Sequence, residues 1–169
     1  MTIEIRRVVE GDRGDLLRVW HRGWHDAHAT LVPPDILKYR TPEYFFAWLS
    51  QSAEKFYVAC NTSSLLGFVS IKDAEIVKLY VANEVRGTGV ARTLLSYAET
   101  TLGNEGITVA HLFCTAGNLR AQRFYAREGW RLLETFDDNL WVPSDVATQY
   151  AVQTHHYQKS LSKQLSPTS

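Results

Sequence analysis

Strand-like and helix-like stretches alternate along this chain, and the sequence therefore predicts a mixed α/β fold in a single domain. Three observations carry that prediction. A branched and aromatic run, Ile76-Val77-Lys78-Leu79-Tyr80-Val81, passes through a glycine-containing turn into a helical apolar face made of Val90, Ala91, Leu94, Leu95, Ala98 and Leu102. A second strand-like run, Thr108 to Thr115, is followed by a helical segment from Asn118 to Gly129. No internal repeat or linker interrupts the 169 residues, which is enough chain for one sizeable core.

The elements follow in order. Ile3 to Val9 alternates apolar and charged residues, as in a half-buried first strand, and Asp12 is placed to cap a helix. That helix carries Leu16, Leu17, Val19, Trp20, Gly23, Trp24 and Ala27 on one face and ends before Pro33-Pro34, where a second helical stretch with Ile36 and Leu37 begins. After Thr41-Pro42 comes a dense aromatic segment, Tyr44 to Leu49. Lys55 to Asn61 and Leu65 to Ile71 form a hairpin across Asn61-Thr62-Ser63-Ser64, with Gly67 marking a bulge or a close approach. Beyond the central strand and helix, Gly103 to Gly106 stops the helix, and Gly129 closes the next one. Trp130 to Phe136 reads as a strand, Asp137 to Thr148 as a polar loop, and Tyr150 to Tyr157 as the last strand. The domain is expected to span residues 1–160, with a frayed tail over 161–169.

Composition narrows the function. Basic and acidic residues balance at 18 each, so no overall charge favours nucleic acid or an anionic membrane as partner. Positive potential must be local, and Lys78, Arg86 and Arg92 offer it around the central turn. Two cysteines, Cys60 and Cys114, do not make a disulfide framework. No signal peptide precedes Ile3 and no apolar run spans a bilayer, so a reduced, cytoplasmic protein is expected.

The central turn carries the chemistry. A strand that runs through Arg86-Gly87-Thr88-Gly89 into a helix aims unpaired backbone N–H groups and the positive helix end at one point, where a phosphate fits. A nucleoside triphosphate loop would need Gly-Lys-Ser/Thr, but Val90 and Ala91 follow Gly89. A dinucleotide fingerprint would need a small residue where Arg92 stands. What remains, Arg86-x-x-Gly89-x-Ala91 after the strand ending Leu79-Tyr80-Val81, resembles the coenzyme A pyrophosphate segment of the GCN5-related N-acetyltransferases. A second segment, Asn118-x-x-Ala121-x-x-Phe124-Tyr125 followed by Gly129-Trp130, resembles another motif of that family, with Trp130 in place of the usual Phe. Taken alone, that segment is also an ordinary capped helix.

The resemblance covers most of the chain and implies a central, mostly antiparallel sheet in which two parallel strands splay apart. It implies acetyl-CoA as acetyl donor. It assigns Leu79, Tyr80, Val81 and the turn Arg86-Gly87-Thr88-Gly89-Val90-Ala91 to that ligand, with Asn118 beside its pantetheine arm and Tyr125 beside its sulfur. The acceptor expected is a primary amine, on a small molecule or a protein, attacking directly in a ternary complex. Metal plays no part in the expected reaction, and the protein is expected to be a monomer or homodimer. A coenzyme-A-binding sensor without efficient turnover is the alternative.

Two residues are expected to move protons. A phenol with pKa about 10 is protonated at neutral pH and can donate to a departing thiolate, which makes Tyr125 the candidate general acid. A lysine-like amine, pKa about 10.4, must lose a proton before it attacks, and Glu75 is the candidate base, through water; the competing reading is a solvated charge at a strand start. Strand alternation places Glu75 on the face of Val77, Leu79 and Val81. Trp24 and His28, in a segment resembling the family's acceptor cleft, are the substrate-site candidates. Cys114 as an acetyl-accepting nucleophile lacks an evident base, and His111, His155 and His156 form no metal pattern. His21, His25 and His28 share helical spacing that metal binding could use.

Overall fold

The computed structural model describes residues 2–161; residues 162–169 of the expected tail lie outside them. Among the described residues, seven strands and four α-helices follow one another as β1 (Glu4–Arg7), α1 (Arg13–His28), α2 (Pro42–Ser50), β2 (Lys55–Cys60), β3 (Leu65–Lys72), β4 (Glu75–Val81), α3 (Val90–Asn104), β5 (Val109–Thr115), α4 (Leu119–Arg127), β6 (Arg131–Asn139) and β7 (Ala151–Ser160). The strands make a single sheet in the order β1-β2-β3-β4-β5-β7-β6. Every neighbouring pair is antiparallel except β4 and β5.

Each face of the sheet carries its own core. One side buries Val90, Leu94, Leu95, Ala98 and Leu102 of α3 against Val69, Ile71, Ile76, Ala110 and Leu112. The helical spacing of those α3 residues is what lets them form one continuous stripe. On the other side, Leu16, Trp20 and Trp24 of α1 and Phe45 of α2 cover Phe56, Val58 and Phe68. On the α3 side, Gly67 lets β4 and Leu94 come close to β3, because a Cβ there would lie 2.7 Å from the Tyr80 carbonyl oxygen and 3.1 Å from Leu94 Cδ1.

Some boundaries differ from expectation, each for a physical reason. β1 is shorter, since its ladder with β2 runs from Glu4 to Arg7, followed by one last bond from the Val8 N–H to the Phe56 carbonyl. Asp12 turns its carboxylate to Arg6, at 2.7 Å, and to the Val9 N–H, leaving α1 without a side-chain cap. Pro34–Tyr39 winds as a 3₁₀ helix rather than an α-helix. β6 runs on through Asp137, Asp138 and Asn139, which the sequence assigns to a loop. As an edge strand with both faces largely exposed, it needs no apolar pattern. β7 starts at Ala151 and continues through Lys159 and Ser160, and the Leu161 N–H donates to the Thr108 carbonyl.

Candidate active site

The site begins where the parallel pair fails. β4 and β5 pair only at Glu75↔His111 and Ile76↔Leu112, then diverge. Past Ile76, the edge of β4 facing β5 therefore offers main-chain groups with no strand partner. A cavity of about 930 Å³ fills this opening, walled by Val77, Leu79 and Val81 on one strand and Phe113 and Cys114 on the other. It runs on to Gly87, Gly89, Val90 and Ala91, where α3 begins.

The α3 end is built for an anion. Gly89 holds φ +91° and Gly87 φ +78°, backbone conformations that side-chain-bearing residues rarely adopt, and a Cβ at either would meet open space. No side chain caps α3, and no acidic residue stands in its first turn. Its N–H groups are thus available to a ligand. Arg86, Arg92, Arg120 and Arg127 all line the same cavity. Burial, and then the nearby Arg86, hold the Arg120 guanidinium below its ordinary range. The charge signal around Arg86 and Arg92 was legible in the sequence, whereas Arg120 and Arg127 on α4 join only through folding. Lys78 is corrected: its ammonium turns away from the phosphate end into a pair with Glu54, at 2.5 Å. This cleft of free amides, left-handed glycines and arginines suits a pyrophosphate joined to an elongated arm.

α4 supplies the other wall. The Asn118 side chain accepts from the Ala121 N–H at 3.3 Å, starting the helix while lining the cavity. Seven positions on, Tyr125 lines it too, and burial pushes its phenol above the ordinary range, so it stays protonated. Cys114 also lines the cavity, but burial pushes its thiol up to about 11. That leaves little thiolate at neutral pH and weighs against a nucleophilic role.

A bulge overturns the expected orientation of Glu75. Ile71 pairs with Ile76 but Ser70 with Lys78, so Val77 is an extra residue and alternation slips there. Ile76, Leu79 and Val81 pack toward the α3 core, and Glu75 shares the α1 face with Lys78 and Tyr80. Burial, and then the Glu54 carboxylate, raise the Glu75 pKa. That is the direction useful to a base.

The remaining candidates separate. His28 lines the cavity, and burial lowers its imidazole to about 4, so it is neutral at pH 7. Trp24 is buried behind it, packed on the Arg40 guanidinium at 5.0 Å. Thr88 spends its hydroxyl on the Val85 carbonyl. His21 and His25 both meet the Arg40 carbonyl through Nε2, at 3.2 and 2.7 Å. Among the described residues, no group of three His, Cys, Asp or Glu is placed to hold a metal, and no helix is long and apolar enough to cross a membrane.

Known proteins agree with this architecture. The profile of the acetyltransferase (GNAT) family matches residues 19–130. An uncharacterized N-acetyltransferase of Archaeoglobus fulgidus is 30% identical over 148 residues, covering 79% of this chain and 96% of that protein. A spermidine N(1)-acetyltransferase of Thermoplasma acidophilum is 25% identical over 156 residues, covering 80% and 92%. The fold superimposes on the PaiA N-acetyltransferase of Thermoplasma acidophilum in complex with coenzyme A, with a TM-score of 0.64, 23% identity, and coverage of 91% and 98%. With the split parallel strands and the glycine turn at α3 already in view, this chain belongs to the acetyltransferase (GNAT) family.

Proposed function

We propose that this acetyltransferase moves an acetyl group from acetyl-CoA to a primary amine, by direct attack with both substrates bound. The observation that carries the reading is the continuous cavity, which joins the unpaired edge of β4 to the uncapped start of α3 and passes Tyr125 on the way. Acetyl-CoA supplies a thioester carbonyl open to an amine.

The chain's own groups do the rest. The N–H groups of Gly87, Gly89, Val90 and Ala91 and the arginines around them hold the phosphates, the Thr88 N–H being spent on the Val85 carbonyl, and the free edge at Leu79 to Val81 orients the arm and the thioester. Tyr125 keeps its proton at Oη until the sulfur departs, then donates it. Glu75 takes the proton of the amine through water. His28 and Tyr80 form the acceptor side of the wall. The relative named for spermidine makes a primary aliphatic amine the first acceptor to test. Free Cys60 and Cys114 suit a reducing, cytoplasmic setting.

The test is release of free thiol from acetyl-CoA across a panel of primary amines. Amine-dependent release supports the reading. Stabilisation by acetyl-CoA without release would instead favour a coenzyme-A-binding sensor.

A further inference from the structure

The α1 face of the sheet carries a hydrogen-bonded chain of titratable groups that the scheme above does not use. His111 on β5 and His156 on β7 meet Nδ1 to Nε2 at 2.8 Å. His156 Nδ1 lies 3.3 Å from Glu134 Oε1 on β6, its direct partner across the ladder. Phe113, on the cavity wall, stacks on His156 with ring centroids 4.6 Å apart. The far end of the chain is wet: the Glu134 side chain is 59% exposed, against 13% for His156.

The near end lies beside the base. His111 and Glu75 are partners in the short stretch where β4 and β5 pair, one residue before the strands part at Ile76 and Leu112. Ile76, Ala110 and Leu112 turn into the α3 core, so Glu75 and His111 project together on the opposite face, across about 4.8 Å of sheet.

Hydrogen-bond chemistry sets the direction. A carboxylate only accepts, so His156 carries its proton on Nδ1, facing Glu134. With His156 neutral, its Nε2 accepts from His111 Nδ1–H, which leaves the lone pair of His111 on Nε2.

We propose that His111, His156 and Glu134 form a proton relay that carries the acceptor's proton from Glu75 to solvent. This rests on the amine-acetylating reading above. The proton reaching the Glu75 carboxylate passes to His111 Nε2. His111 gives its Nδ1 proton to His156 Nε2, and His156 releases its Nδ1 proton to Glu134 and water. One proton enters and one leaves, and exchange with water restores the starting tautomers. The groups facing this path are Glu75 and Lys78 on β4, Lys72 on β3, Glu54 ahead of β2, and Glu134 and Asp138 on β6. Four carboxylates against two ammonium groups favour a proton in transit.

The relay matters only for an acceptor that arrives protonated, which supplies the test. kcat is measured against pH for the wild type, His111→Gln and Glu134→Gln, with two acceptors: a primary amine of pKa about 10.4, and a weakly basic amine already neutral at pH 7. His111→Gln is expected to cut kcat about 10²-fold for the basic amine near neutral pH, while the weakly basic amine keeps its rate. Glu134→Gln should show a smaller loss with the same selectivity. Equal losses for both amines, or no loss for either, overturn the relay. Stabilisation by acetyl-CoA identifies a folded variant; should His111→Gln fail to fold, the exposed Glu134→Gln decides alone. A wild type that acetylates neither amine brings down the amine-acetylating reading, and the relay with it. An active wild type with unselective variants sinks only the relay.

Discussion

At Tyr125 the protein keeps a phenol protonated by burying it against Cys114, Tyr80 and Tyr157. Removing the hydroxyl leaves the ring and the cavity wall in place. Tyr125→Phe is therefore expected to lower kcat about 10²–10⁴-fold while acetyl-CoA still stabilises the fold, measured by thiol release beside a thermal melt. Because the phenol's pKa is raised, the wild-type rate should not fall as pH approaches the ordinary phenol value of about 10. Glu75 works in the opposite sense. A base must be ionised, and burial raises this carboxyl, so the rate should climb with pH through a point above the ordinary carboxylate range of about 4.3. In Glu75→Gln that acidic limb should disappear, and an unchanged pH–rate profile would remove Glu75 from the mechanism. Cys114, with its thiol near 11, is expected to resist alkylation at pH 7 until the protein is denatured.

Between residue and fold stand the turns and contacts that shape each element. Gly89 ends a turn at φ +91° and starts α3 in one step. Gly89→Ala has room for its methyl but not for the backbone, a strain of about 1–2 kcal/mol. That strain falls where α3 faces the ligand, so KM for acetyl-CoA is expected to rise about tenfold with kcat changed less. Gly23 is limited by space instead: a Cβ would lie 2.7 Å from the Tyr80 ring. It lets α1 press on β4, which brings Gly23, Ala27 and His28 to the cavity with Tyr80. The bulge at Val77 is the element-scale event with most consequence, since it sends Glu75 and Lys78 to one face and Leu79 to the other.

Across the whole molecule, two cores of different character lie on either side of the sheet. The α3 side is largely aliphatic, while the α1 side is aromatic and holds buried charge. Lys78 reaches Glu54 there, with side-chain exposures of 8% and 9%, and its ammonium sits 5.1 Å from the Trp20 ring. Burial pushes the Glu54 carboxyl up, but Lys78 with the hydroxyls of Ser52 and Ser70 more than offsets this and holds it below its ordinary value. Glu54's contribution is then full above the ordinary carboxylate range and lost as pH falls through the lower folded value, while burial pulls the Lys78 ammonium below its ordinary range and ends the pairing from the alkaline side. Lys78→Ala leaves a buried carboxylate alone and should cost about 3–5 kcal/mol in a denaturant melt. Arg40, 1% exposed, is held on the same side against Trp24, Trp48 and Trp141, the last two stacked at 5.1 Å.

Local chemistry made much of this legible in advance. The apolar period of α3, the glycines before it, the Asn118 cap and the Gly129 stop are short-range signals, so the order of elements and the α3 end of the cavity could be read directly. The end of β6 could not, because Asp137 to Asn139 owe their strand to β7 rather than to their own pattern. Nor could the direction of Glu75, since one unpaired residue in a ladder reverses a period-two pattern and leaves no mark in composition. Arg120 beside Arg86, Glu54 beside Lys78, and His111 beside His156 are contacts between distant segments. The sequence by itself determined the sheet-and-helix order and the turn that opens α3, because those depend on neighbours along the chain. Only the tertiary structure decided where β4 parts from β5 and which charges meet around that opening, because those depend on neighbours across it.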